Sequence, residues 1–120
     1  MAAPNLINVA TITGKTTGVA VGNTATTVVT NPSSSGQLWK RNSLVVSNVN
    51  GSAAATVTVS VLKGGATAYR LSYLISVPAG ASLVVIDKTT QIYLEENDTL
   101  QATASSASYL EAVCSYEILA

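Results

Sequence analysis

Apolar and polar residues alternate with a period of two along most of the chain, and no segment offers a persuasive amphipathic helix. The clearest strand runs from Ala55, with Val57, Val59 and Val61 on one side and Thr56, Thr58 and Ser60 on the other. Tyr69, Leu71, Tyr73, Ile75 and Val77 repeat the alternation and predict a second strand with these five side chains inward. The stretch Ser82 to Ser105 holds three strand-like runs, Leu83 to Ile86, Ile92 to Leu94, and Thr99 to Thr103 with Leu100, Ala102 and Ala104 on one face. Two short polar connectors, Asp87-Lys88-Thr89-Thr90 and Glu95-Glu96-Asn97-Asp98, read as turns between them, and the unit reads as the middle of an antiparallel sandwich. A last strand places Leu110, Ala112, Cys114, Tyr116 and Ile118 inward, with Glu111, Ser115 and Glu117 outward.

The first half follows the same grammar. Pro4 to Thr13 suits an extended arm or an edge strand, so residues 1–13 are expected as an N-terminal arm and 14–120 as one β-sandwich domain. Gly14, Gly18 and Gly22 punctuate a Thr- and Val-rich stretch that predicts a hairpin, with strands near Thr16 to Val21 and Thr24 to Thr30. Asn31-Pro32-Ser33-Ser34-Ser35-Gly36 is the clearest loop. Gln37 to Asn48 is extended again, with Leu38, Leu44 and Val46 on one face and Trp39, Val45 and Val49 on the other. Asn50-Gly51 signals a tight hairpin, and Lys63-Gly64-Gly65 and Pro78-Ala79-Gly80 are further turns. About eight to ten short strands at this spacing predict an all-β fold, an antiparallel β-sandwich or jelly-roll-like barrel.

Composition changes the picture in one respect. Of 120 residues, 48% are hydrophobic and only 10% charged, against about 25% charged in an average soluble protein. Six basic and six acidic side chains cannot cover the surface of a domain this size, which predicts that part of that surface is covered by other subunits. The net charge of zero gives no basic field to collect nucleic acid. Neither a signal peptide nor an apolar run of membrane-spanning length is evident, so the protein is expected to be soluble and made in the cytoplasm. The single cysteine, Cys114, excludes an internal disulfide framework.

Candidate chemistry is sparse, and no cofactor is implied. The chain has no histidine, which removes the commonest general base and metal ligand together. Cys114 falls on an inward strand face and reads as a small hydrophobe. Gly14-Lys15-Thr16 imitates the end of a phosphate-binding loop, but Val9 stands where that motif needs glycine, and a β pattern follows. Glu95, Glu96 and Asp98 read as a solvated hairpin tip rather than a calcium site. Sequons at Asn50 and Asn97 carry no meaning without secretion. Trp39-Lys40-Arg41 is the one dense patch of the kind found at interfaces, where aromatic residues and Arg concentrate binding energy. Tyr69, Tyr73 and Tyr116 are expected inside, leaving Tyr93 and Tyr109 as exposed platforms.

Four segments, NLINVATITGKT, LVVSNVNGSAAATVTVSVLKGG, AYRLSYLISVPAGASLVVIDKTTQIYLEENDTLQA and LEAVCSYEIL, give nearly the whole chain a resemblance to small virion structural proteins of tailed bacteriophages, especially those infecting cyanobacteria and other aquatic bacteria. The resemblance implies a non-enzymatic part of a virion. Its first form is a capsid decoration or cement protein, often a homotrimer, that clamps the major capsid protein from outside and stabilises the assembled head; neck and tail proteins are the neighbouring possibility. Leu6, Ile7 and Val9 of the arm, with Trp39, Lys40 and Arg41, are the expected contact residues. An arm of about ten extended residues reaches at most roughly 33–36 Å, enough to cross to a neighbouring subunit. A receptor- or carbohydrate-binding module using Tyr93 and Tyr109 is the alternative from a different class.

Overall fold

The computed structural model describes residues 10–87, 89 and 92–120. Leu6, Ile7 and Val9 of the expected arm, and Lys88 and Thr90 of the expected turn, lie outside the described residues. Among the described residues there are nine strands and no helix. They are β1 (Ile12–Val21), β2 (Thr26–Thr30), β3 (Leu38–Asn48), β4 (Ala55–Lys63), β5 (Thr67–Val77), β6 (Ser82–Ile86), β7 (Ile92–Leu94), β8 (Thr99–Ala104) and β9 (Leu110–Leu119).

The strands form two antiparallel sheets. One runs β1-β9-β3-β6, with β7 also on β3; the other runs β2-β8-β4-β5. The pairing is nested: β1 with β9, β2 with β8, β3 with β6 and β7, and β4 with β5. This is a long hairpin rolled so that successive pairs fall in alternate sheets, the jelly-roll form of the expected sandwich. Its tip is the turn after Lys63. Gly64 and Gly65 both take positive φ, 61° and 72°, and the Ala66 N–H donates to the Lys63 carbonyl at 3.0 Å. Two consecutive left-handed residues match the right-handed strand twist, so this turn closes β4 onto β5.

Three expected connections come out differently. The strands anticipated as a hairpin around Gly22 sit in opposite sheets, β1 on β9 and β2 on β8. Asn50-Gly51 likewise joins β3 of one sheet to β4 of the other, and neither residue takes positive φ. Instead the Asn50 side chain accepts the N–H groups of Ser52 and Ala53 at 2.8 and 3.0 Å, a local polar turn at a corner. β6 and β7 are not a hairpin either. Both run antiparallel to β3, along its two halves, so β6 and β7 together form one interrupted edge.

The core lies between the sheets and is built from the period-two positions. Val57 and Val59 of β4, Leu100 and Ala102 of β8, Leu44 and Val46 of β3, and Leu110, Ala112 and Cys114 of β9 are all fully buried. At roughly 1.5–3 kcal/mol for each fully buried large aliphatic side chain, this face supplies the main folding drive. Ile12 and Thr13, placed with the arm by sequence, begin β1 opposite Leu119 and Ile118. The N–H groups of Ala10 and Thr11 donate to the Ala120 carbonyl at 2.8 and 3.0 Å, which ties the start of β1 to the end of β9.

Candidate interaction surface

The Trp39-Lys40-Arg41 patch is divided by its strand. The β3–β9 ladder pairs Arg41 with Tyr116 and then Ser43 with Ser115, so Asn42 is an extra residue in β3. A one-residue bulge exchanges the two faces of the strand beyond it. Trp39 and Arg41 therefore share the inner side with Leu44 and Val46, and the sequence expectation that set Trp39 opposite those residues fails at this point. Arg41 is fully buried inside the protomer, which removes its side chain from the surface on which it was expected to make contacts. Its Cζ lies 4.6 Å from the centre of the Tyr116 ring and 5.6 Å from that of Trp39, and the two rings stack 5.3 Å apart at 13°. Burial lowers its pKa to about 10, and none of its three side-chain nitrogens meets a hydrogen-bond acceptor among the described residues. Lys40 points the other way, half-buried, with Nζ 3.9 Å from Glu117.

The remaining candidates have local explanations. Burial pushes the Cys114 thiol up to about 11, which leaves it protonated and unreactive at neutral pH. Gly14, Lys15 and Thr16 lie in mid-strand in β1. The acidic run after β7 is a crossing between sheets rather than a hairpin tip. Asp98 is buried there and accepts hydrogen bonds from Lys63 Nζ, the Gly64 N–H at 2.8 Å and the Glu95 N–H at 3.0 Å. Burial alone raises the Asp98 carboxyl, but the Lys63 bond and the two N–H groups outweigh it and hold the pKa below the usual range. Lys63 also binds Glu95 at 2.8 Å. Among the described residues no three His, Cys, Asp or Glu side chains gather as a metal site. Tyr93 is exposed, and Tyr109 is half-buried against the core.

The surface that sequence reading missed is β5. Tyr69, Leu71, Tyr73, Leu74 and Ile75 are each between 40% and 60% exposed, and only Val77 of the expected inward set is buried. Two features lift them out. β5 is the edge of its sheet, and the strand beside it across the sandwich, β6, has only five residues and leaves it uncovered. The β4–β5 register also slips twice, between Val57 and Val59 and between Val59 and Ser60. Within this irregular stretch Leu74 takes φ 50°, a left-handed conformation costly for a branched side chain, while its N–H donates to Thr58 Oγ1 at 3.1 Å. The uninterrupted Tyr73-Leu74-Ile75 was the available signal, because three consecutive large apolar residues cannot all face one side of a strand.

A second apolar feature crosses the outer face of the other sheet. Gly18 pairs with Val113, Val113 with Val45, and Val45 with Val84, which sets these residues in one row. Val113 and Val84 are about half exposed. Beside Gly18 an open hollow of about 280 Å³ is lined by Gly18, Val19, Ala20, Glu111, Ala112 and Val113.

No family model matches the chain, and no curated protein does. Two crystal structures of a pentameric capsid protein isolated from metagenomic phage sequences are similar to it. One is 24% identical over 97% of this chain with a TM-score of 0.43; the other, solved by iodide phasing, is 23% identical over 97% with a TM-score of 0.41. This chain spans 64% of the length of each.

Proposed function

We propose that the chain is a non-enzymatic structural subunit of a phage virion, and that its first role is to decorate and cement the assembled head. The observation that carries the reading is the run of five exposed large apolar side chains on β5, an unpaired sheet edge. Soluble monomers blunt such edges with charge or proline. Here the strand carries one charged residue, Arg70, so a covering subunit is the physical remedy. The sequence resemblance to phage virion proteins supplies the context. Jelly rolls recur in viral shells and in lectins, so the fold accommodates this role without selecting it.

In this reading the protein binds the assembled shell and not its free subunits, and mass action then stabilises the shell. Leu6, Ile7 and Val9 are proposed contacts of the N-terminal segment, and Lys40 is the member of the central patch whose side chain faces outward. The test is cosedimentation of the purified chain with heads assembled from the coat protein of the same virus. Saturable binding at a fixed ratio to coat subunits, with heads that withstand more heat, is the expected result, and removal of residues 1–9 weakens it. Absence of binding to intact heads overturns the decoration role and returns the chain to the neck or tail.

A further inference from the structure

We infer that β5 of one copy seats on the outer face of β1 and β9 of a second copy, with Arg70 meeting Glu111 and Tyr73 entering the hollow over Gly18. The charge inventory points there first. Lys40 pairs with Glu117, and Lys63 with Glu95 and Asp98. Asp87 and Glu96 are engaged within the chain, with Asp87 accepting the Thr89 N–H and Glu96 the Gly36 N–H. That leaves Glu111 as the one carboxylate without a partner among the described residues, and it lines the hollow. Arg70 is exposed on β5, and its guanidinium carbon lies 5.4 Å from the centre of the Tyr73 ring, which holds charge and ring together as one projection.

Shape agrees with charge. Gly18 leaves the flank of Val113 bare, and the row Val113, Val45, Val84 continues an apolar floor away from the hollow. β5 offers the matching apolar projection in Tyr73 and Leu74, while the register sets Tyr69 on the other face, opposite Val61; the left-handed Leu74 is the kind of local strain that persists where a surface must be presented. A second copy is thus the occupant whose chemistry fits both surfaces.

The topology fixes the symmetry of the contact. β1 ends one sheet beside β2, whereas β5 ends the other sheet beside β6, so projection and hollow lie at opposite sides of the sandwich. One patch cannot contain both. The contact is therefore head-to-tail, and it closes into a ring when its rotation divides a full turn and otherwise extends as a filament. This inference rests on the two surfaces alone and stands or falls separately from binding to a phage head.

Light scattering and sedimentation of the full chain over a concentration series test it. Wild-type protein is expected above protomer mass. Arg70→Glu and Glu111→Arg each place like charges in contact and are expected to weaken association by about tenfold or more, and the double variant Arg70→Glu/Glu111→Arg restores it. Gly18→Val fills the hollow. The residue does not take positive φ, and an added Cβ meets Ala112 O at 3.8 Å and Val113 Cγ2 at 3.9 Å, ordinary contact distances. This variant is therefore expected to fold with an unchanged or higher melting temperature while losing association. A wild-type protein that stays at protomer mass, single charge reversals that leave the mass distribution unchanged, a double variant that fails to recover it, or Gly18→Val protein that assembles like wild type each overturns the proposal.

Discussion

The Arg41 guanidinium carbon lies 4.6 Å from the centre of the Tyr116 ring, so a fully buried cation faces an aromatic π-surface in place of a carboxylate. A desolvated cation–π contact is worth about 2 kcal/mol or more, but it satisfies none of the N–H groups, and Arg41 Nε, Nη1 and Nη2 are all without acceptors among the described residues. Desolvation therefore outweighs attraction, which is the sense of the lowered pKa. For a base whose folded pKa is below its unfolded value, the cost is full at neutral pH and is relieved only as pH rises through about 10.

Arg41→Met follows from this balance. An unbranched apolar side chain keeps contact with Trp39 and Tyr116 and removes the buried charge, so unfolding free energy is expected to stay level or rise, by up to about 1–4 kcal/mol. Urea denaturation with an unchanged slope reads the shift. A loss larger than about 1 kcal/mol shows that the guanidinium has acceptors and sinks the argument. Arg41→Lys is expected to be the worse variant, because an ammonium is more strongly hydrated.

The same site shows which parts of the fold were legible in the chain. Alternation at Val57 and Val59 identified a buried face because β4 is flanked on both sides, by β8 and β5, and covered by the opposite sheet. The same alternation at Tyr69, Tyr73 and Ile75 misled for two reasons: the register slips against β4 set Ser72 rather than Tyr73 opposite Val59, and a period of two does not say whether anything lies over a face, which depends on β5 being an edge. Trp39 was assigned to the wrong face because one bulged residue, Asn42, reverses parity, and nothing in Lys40-Arg41-Asn42-Ser43 announces a bulge. Turn chemistry was readable at Gly64-Gly65, where both residues take the positive φ a tight hairpin needs, but not at Asn50-Gly51, where neither does and the chain crosses to the other sheet, because which sheet receives the next strand is a long-range outcome. The acidic run looked solvent-facing because its cation, Lys63, is distant in sequence.

Asp98→Asn tests that long-range link. The substitution removes the charge facing Lys63 and leaves one acceptor for the Gly64 and Glu95 N–H groups, at an expected cost of about 2–3 kcal/mol. The pH dependence has a definite sign. The folded carboxyl titrates below its unfolded value of about 3.9, so its contribution is present above that pH and is lost as pH falls through the folded value. Lys63 is raised, chiefly by the Asp98 hydrogen bond and then by Glu95, so its contribution is present below about 10.4 and is lost as pH climbs through the higher folded value. Wild-type stability is expected to fall off in acid more steeply than that of the variant, and parallel acid limbs in the two denaturation series refute the assignment.

Cys114 is expected to resist thiol reagents in the native state. It is fully buried on β9, and burial raises the thiol to about 11, so both access and thiolate fraction are low at pH 8. Labelling with a chromogenic disulfide is expected to proceed at the rate of unfolding and to become immediate in denaturant. Rapid stoichiometric labelling of folded protein contradicts the burial.

Asn48 is the polar pin at the corner where β3 leaves one sheet and β4 enters the other. It is buried, its Nδ2 donates to the carbonyls of Ala53 and Val77 at 2.9 Å each, and its Oδ1 accepts the Asn50 N–H at 2.8 Å. One amide thus satisfies three backbone groups that water cannot fully reach, two of them on opposite sides of the corner. Asn48→Ala strands all three and is expected to cost about 2–4 kcal/mol, since each unsatisfied buried group carries a penalty of its own. Asn48→Asp discriminates this role from simple packing because it keeps the shape and reverses the donor. A carboxylate facing two carbonyls is repelled, which raises its folded pKa, so the variant is expected to be less stable than Asn48→Ala at neutral pH and to recover as pH falls through that raised value and the protonated acid can donate once. Equal losses for the two variants at neutral pH, with no recovery in acid, mean that the side chain merely fills space.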